Sequence, residues 1–178
     1  MRICIYGAAS DKIELKYLQD IENVGKTLAQ KGHSLVFGGG DCGVMGAAAK
    51  GFSEGNGEII GVITTYIHEY EKMYDACTEN IIVETLAERK IIMEEKADVF
   101  FIAPGGIGTY DEFFQCLTLR ELNRHDKPII VYNAFGFYDG LLNFMNQRVE
   151  DQFIRPIVPS LYTVCNNLVE VLETLKKV

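Results

Sequence analysis

The chain has 178 residues, 48% of them hydrophobic and 24% charged, with a formal net charge of −8. That length suits a single domain with a sizeable core, and the composition is ordinary for a globular protein. The acidic balance disfavours nucleic acid and anionic membrane as partners, so an anionic ligand has to be held by local backbone dipoles and a few placed cations.

In chain order, residues 3–7 read as a first strand, with no signal-peptide pattern ahead of it. Leu15, Leu18, Ile21, Val24 and Leu28 then recur at helical spacing, and Lys31-Gly32-His33 supplies the stop. Residues 34–37 form a second apolar run that ends in Gly38-Gly39-Gly40, and a helix rich in small residues follows through Ala47, Ala48 and Ala49. Residues 59–63 read as a third strand. Segment 64–80, with Tyr66, His68, Tyr70 and Tyr74 among charges, reads as a ligand-facing loop with one helical turn. A short strand at 81–83 precedes a helix over 86–96. Strands at 99–103 and 129–132 come next, and helices are expected over 138–150 and 164–176. Continuous apolar strands separated by helices predict one α/β domain over residues 1–178: a Rossmann-like, doubly wound, mostly parallel sheet with helices on both faces. In such folds ligands bind beyond the carboxyl ends of the strands, where both glycine-rich segments lie.

The run Pro104-Gly105-Gly106-Ile107-Gly108-Thr109-Tyr110-Asp111-Glu112 links the strand at 99–103 to a helix. Glycines let a backbone approach a ligand, and free N–H groups at a helix start favour an anion such as phosphate. Thr109 is expected to cap that helix, and Asp111 and Glu112 to occupy its first turn. Carboxylates repel phosphate, so they are expected to serve another part of the same ligand. The earlier cluster, residues 38–46, contains G-x-G-x-x-G at Gly38, Gly40 and Gly43, but it follows the second strand. The dinucleotide motif also wants an acidic residue about 20 positions on, where Ile63-Thr64-Thr65-Tyr66 offers none. Backbone contact with some other ligand is the favoured reading of that cluster.

Arg89, in Glu88-Arg89-Lys90, taken alone reads as solvated helix surface. His33, His68 and His125 lack metal-ligand spacing, so no metal is expected. Cys4, Cys42, Cys77, Cys116 and Cys165 form no C-x-x-C pair. They are expected to act as small hydrophobes in a reducing cytoplasm.

Together these segments resemble the LONELY GUY (LOG) family, the cytokinin riboside 5′-monophosphate phosphoribohydrolases. Its signature P-G-G-x-G-T-x-x-E is matched by residues 104–112, and G-G-G-x-x-G-x-M-G by residues 38–46. E-R-K with a methionine three residues on is matched by Glu88, Arg89, Lys90 and Met93. The resemblance implies hydrolysis of an adenine-type nucleoside 5′-monophosphate, either AMP or a cytokinin riboside 5′-monophosphate, to free base and ribose 5-phosphate without a cofactor. It implies Arg89 and Glu112 as the catalytic pair, with Arg89 holding Glu112 ionised. It implies phosphate contacts at Gly105, Gly106, Gly108 and Thr109, and base or ribose contacts at Gly39, Gly40 and Met45. Ser10, Glu88, Lys90 and Asp111 complete the expected substrate-binding set, and a homodimer is expected, with Phe113 or Phe114 near its interface. Two segments depart from the family pattern: Tyr6-Gly7-Ala8-Ala9-Ser10 keeps only the Ser10 hydroxyl, and Thr118-Leu119-Arg120-Glu121-Leu122 lacks the usual tryptophan. The alternative on the same fold is a non-catalytic carrier of a nucleotide or phosphorylated cofactor. Nothing in the sequence supports the lysine decarboxylase name given to many such proteins.

Overall fold

Alternation of apolar side chains along each strand dictates a two-faced sheet, and the computed structural model, which describes residues 1–69 and 71–178, shows how both faces are covered. The strands are β1 (Arg2–Tyr6), β2 (Ser34–Phe37), β3 (Ile59–Thr64), β4 (Glu79–Val83), β5 (Val99–Ile102), β6 (Ile129–Tyr132) and β7 (Thr163–Cys165). All pair in parallel, in the order β4-β3-β2-β1-β5-β6-β7. The intervening helices are α1 (Leu15–Gln30), α2 (Gly43–Glu54), α3 (Thr65–His68), α4 (Leu86–Lys96), α5 (Ile107–Glu121), α6 (Asp139–Glu150) and α7 (Leu168–Leu175).

Ile3, Ile5, Leu35, Phe37, Val99 and Phe101 face one way, against the buried stripes of α1, α2 and α7. Cys4, Tyr6, Val36, Phe100 and Ile102 face the other, against Met93 of α4 and Phe113, Cys116 and Leu117 of α5. The α1 stripe is the predicted one, and the helix stops where Gly32 takes a left-handed φ of 81°. At the carboxyl end of the chain the expected helix over 164–176 is corrected. Val164 and Cys165 instead extend the sheet against Val131 and Tyr132 of β6, and Asn167 caps α7 by accepting from the Glu170 N–H.

Strand order reverses at β1, whose neighbours are β2 on one side and β5 on the other. The loops leaving β1 and β5 therefore diverge to opposite faces and leave a crevice at the carboxyl edge. Beyond the strands the two chains stay joined, with Ala103 N–H donating to Tyr6 O at 2.8 Å and Ala8 N–H to Pro104 O at 3.1 Å. Among the described residues, no helix is long and apolar enough to cross a membrane.

Candidate active site

A cavity of about 550 Å³ opens at this crevice. One wall is the loop after β1, from Gly7 to Ser10. A second is the start of α5, through Gly106, Gly108 and Thr109. Met45 of α2, Arg89 of α4 and Glu112 of α5 complete its interior, and Ile67 and Glu71 enter from the segment after β3.

The β1 loop is fastened to α2 by Met45 N–H donating to Ala8 O (3.2 Å) and Gly43 N–H to Asp11 Oδ1 (2.8 Å). A side chain at Gly43 would place its Cβ 2.5 Å from Ala8 O, and its φ of 62° is left-handed as well. Gly43 thus serves chain packing. So does Gly38, because its Cβ would fall on Arg89 Nη2. These contacts give Gly38 and Gly43 a packing role beside the ligand contact expected of the cluster. Gly39 and Gly40 are not among the residues lining the cavity, and Met45 is the member of the cluster that is.

Arg89 is 9% exposed. Its Nε donates to Val62 O at 2.9 Å and Nη2 to Gly38 O at 3.1 Å. A planar guanidinium is a permanent cation, and the carbonyls of two strand ends fix its plane at the cavity wall. The solvated-surface reading of Arg89 is therefore corrected: the site for it is made by a glycine 51 positions away in sequence.

Helix α5 begins at Ile107, with Gly106 as its N-cap and no side-chain cap. Thr109 is consequently a helical residue, buried, with its side chain packed over Gly105, and it does not cap the helix. Asp111 and Glu112 fall beyond the first turn, not within it. The first N–H groups of α5 are left without intrahelical partners, and Gly106 and Gly108 border the cavity with no protein atom within 4 Å of a Cβ built on either.

Glu112 stands farther along α5, near enough for its charge to act on Tyr6 and Cys4, both fully packed. Burial pushes its carboxyl up to about 7. Arg89 pulls it down, Asp111 adds to the rise and Lys90 opposes it. Arg89 acts in the expected direction, favouring the ionised carboxyl, and loss of solvent acts against it more strongly. The outcome is a carboxyl poised to exchange a proton near neutrality.

Ser10, Met45, Arg89, Gly106, Gly108, Thr109 and Glu112 are thus brought together, while the other candidates lie off the lining. Glu88 is committed to a capping box, its carboxylate accepting from Thr85 and Glu84 N–H while Thr85 Oγ1 accepts from Glu88 N–H. Lys90 pairs with Asp111 at 2.9 Å outside the cavity, and Gly105 lies behind Thr109. The Ser10 hydroxyl accepts from Lys12 N–H at 3.2 Å. Ile67 and Glu71 were not singled out from sequence. Their one signal is position, in an irregular segment that leaves the carboxyl end of β3. α3 is the single helical turn expected there, and Tyr70 lies outside the described residues. Among the described residues, no cluster of three or more metal-ligating side chains occurs.

Residues 45–175 match a family model described as "Possible lysine decarboxylase". The cytokinin riboside 5′-monophosphate phosphoribohydrolase of Mycobacterium tuberculosis is 34% identical over 96% of this chain and 91% of its own. The Arabidopsis thaliana enzyme of the same name, LOG2, is 30% identical over 99% of this chain and 83% of its own. Among solved structures, the molybdenum cofactor carrier protein of Chlamydomonas reinhardtii superposes with a TM-score of 0.75 at 21% identity, covering 99% of this chain and 96% of that one. A molybdenum cofactor binding protein from Rippkaea orientalis does so with a TM-score of 0.76 at 20% identity, covering 99% and 95%. These two likenesses establish the shared fold.

Proposed function

Because the chain belongs to the LONELY GUY (LOG) family, matching phosphoribohydrolase members over nearly the whole of this chain, we propose that it hydrolyses the N-glycosidic bond of an adenine-type nucleoside 5′-monophosphate. The observation that carries this reading is the convergence of Arg89 and Glu112 on one cavity whose far wall is the open start of α5. In this reading the 5′-phosphate lies against the N–H groups at Gly106, Gly108 and Thr109, where backbone dipoles offset the chain's acidic charge. The ribose then lies beside Glu112.

Cleavage breaks the bond between the anomeric carbon and the base nitrogen, and the electron pair leaves with the base, which takes up a proton. Positive charge builds on the ribose, and an ionised Glu112 stabilises it. Water adds its oxygen to the anomeric carbon and gives a proton to the same carboxylate, which releases it to solvent as the leaving base takes one up from solvent, so that one water is consumed in all. Arg89, its plane fixed, offers its remaining N–H groups to a ribose or phosphate oxygen. Decarboxylation of lysine is not supported by the site: among the described residues no lysine lines the cavity to form a Schiff base with a pyridoxal cofactor, and Lys90 is paired with Asp111.

The proposal includes a cytoplasmic homodimer acting on AMP or on a cytokinin precursor. Phe113 is fully buried in the protomer core, whereas Phe114 is 39% and Phe153 84% exposed around one surface groove. Exposed aromatics of this kind favour self-association. The five cysteines are free thiols, which suits a reducing compartment.

The test is incubation of the purified protein with AMP and with isopentenyladenosine 5′-monophosphate, with released base quantified by chromatography. Release supports the hydrolase, and the ratio of the two rates reports the preferred base. Binding of both nucleotides without release would favour a carrier on this fold.

A further inference from the structure

The segment after β3 carries a second acid into the cavity, one the catalytic reading does not use. Its position is set by its own N–H donating to Ile67 O at 2.8 Å and by backbone contacts of the residues that follow it. Asp41 N–H donates to Lys72 O at 3.1 Å, Tyr74 N–H to Gly39 O at 2.8 Å, and Met73 bridges Gly40 in antiparallel fashion. Glu71 is thereby held over Gly40. A Cβ on that glycine would sit 3.0 Å from Glu71 Oε2 and 4.0 Å from Met45 Cε. Among the described residues, no side-chain donor or cation is bonded to the Glu71 carboxylate, the adjacent Lys72 pairing with Asp75 instead, and its cavity neighbours Met45 and Ile67 are apolar. An acceptor-only group set among apolar side chains is the means by which a site reads an N–H on a flat ring.

Orientation follows from charge and spacing. A carboxylate repels phosphate, which leaves the start of α5 as the phosphate end. From the end of β5 to the end of β3 is three strand spacings, about 14 Å. That length accommodates a nucleoside monophosphate running from its phosphate to the far edge of its base, with the ribose beside Glu112 on the way.

Resting on the nucleotide reading above, we propose that Glu71 is the specificity residue for the base and accepts a hydrogen bond from its exocyclic amino N–H. The substrate class is then an aminopurine nucleoside 5′-monophosphate that keeps at least one hydrogen on that nitrogen. Both AMP and a singly alkylated adenine meet this condition, and a doubly alkylated adenine does not.

The test compares AMP with the purine analogue that carries hydrogen in place of the exocyclic amino group. Dissociation constants are measured by calorimetry on the Glu112→Gln protein, with and without Glu71→Leu, so turnover is not needed. With Glu71 present, AMP binds about tenfold more tightly than the analogue, the size of one hydrogen bond to a charged acceptor. In Glu71→Leu the preference falls to within about twofold, and in Glu71→Gln, which keeps an acceptor oxygen, most of it remains. Persistence of the full preference in Glu71→Leu overturns the assignment, as does an equal weakening of both ligands. Glu71→Ala replaces the leucine variant if circular dichroism shows the latter unfolded. Failure of the wild-type protein to release base would overturn the hydrolase reading alone, and this binding comparison would still decide Glu71.

Discussion

Two glycine-rich segments flank the cavity, and they are glycine-rich for opposite reasons. In residues 38–46 the missing side chains are needed by the protein: Gly38 leaves room for the Arg89 guanidinium, Gly43 for the β1 loop, and Gly46 for the Asp41 carbonyl. After β5, Gly106 and Gly108 face open space at the start of a helix. The first segment builds a site for a cation, whereas the second keeps a surface bare so that an anion can reach backbone N–H groups. Glycine at a crevice is therefore not by itself a sign of ligand contact. What a Cβ would meet tells the two cases apart.

The largest effect is expected from Gly38→Ala. Its Cβ claims the position of Arg89 Nη2. Nη2 must leave Gly38 O and the guanidinium plane must turn, with an expected destabilisation of about 1 kcal/mol in chemical denaturation and a loss of kcat/KM of roughly a hundredfold. Unchanged activity in that variant would show that the seat of Arg89 is irrelevant to turnover. Smaller effects are expected across the cavity. Gly106→Ala, at an N-cap where alanine is poorer than glycine, should cost no more than about 1 kcal/mol, and Gly108→Ala, inside a helix, should raise stability by about 0.5 kcal/mol. Both should raise the KM for nucleotide by about tenfold by crowding the phosphate. If Gly106→Ala loses as much kcat/KM as Gly38→Ala, the contrast between the segments is wrong.

A further expectation concerns Glu112 and pH. Its folded pKa of about 7 lies above the ordinary 4.5, so the folded state holds the proton more tightly than the unfolded chain. Stability from this group is full below pH 4.5 and is lost as pH rises through about 7. Glu112→Gln removes that loss. Urea denaturation at pH 8 should show the variant more stable than wild type by about 1–3 kcal/mol, with the difference vanishing near pH 4.5. The same ionisation predicts that wild-type kcat/KM falls as pH drops below about 7, because the carboxylate is the active form.

Much of this architecture was legible because apolar runs and helical spacing are local signals. Strands β1, β2, β3, β5 and β6 and the stripe of α1 fall where the pattern puts them. β7 escaped because it is only three residues long, with Val164 and Cys165 running on toward the apolar positions of α7. The misplaced turn at Glu112 has a similar origin. A threonine three residues before a glutamate looks like a cap, but α5 starts earlier on a glycine that offers no side chain. The buried state of Arg89 was not readable from its neighbours Glu88 and Lys90, both of which are engaged outside the cavity. It depends on carbonyls from two strands. Glu71 was invisible for the same reason, since its place also depends on contacts with Gly39, Gly40 and Asp41, which no local pattern records.

Glu112 carries the chemistry, and adenine release from AMP by wild-type and Glu112→Gln protein, with nucleotide affinity measured on both, tests its role. The expected result is a fall in kcat of roughly a thousandfold or more, with the dissociation constant changed by no more than a few-fold. Comparable turnover in the variant would contradict the assignment of the raised-pKa carboxyl as the group that stabilises the ribose and takes the proton from water.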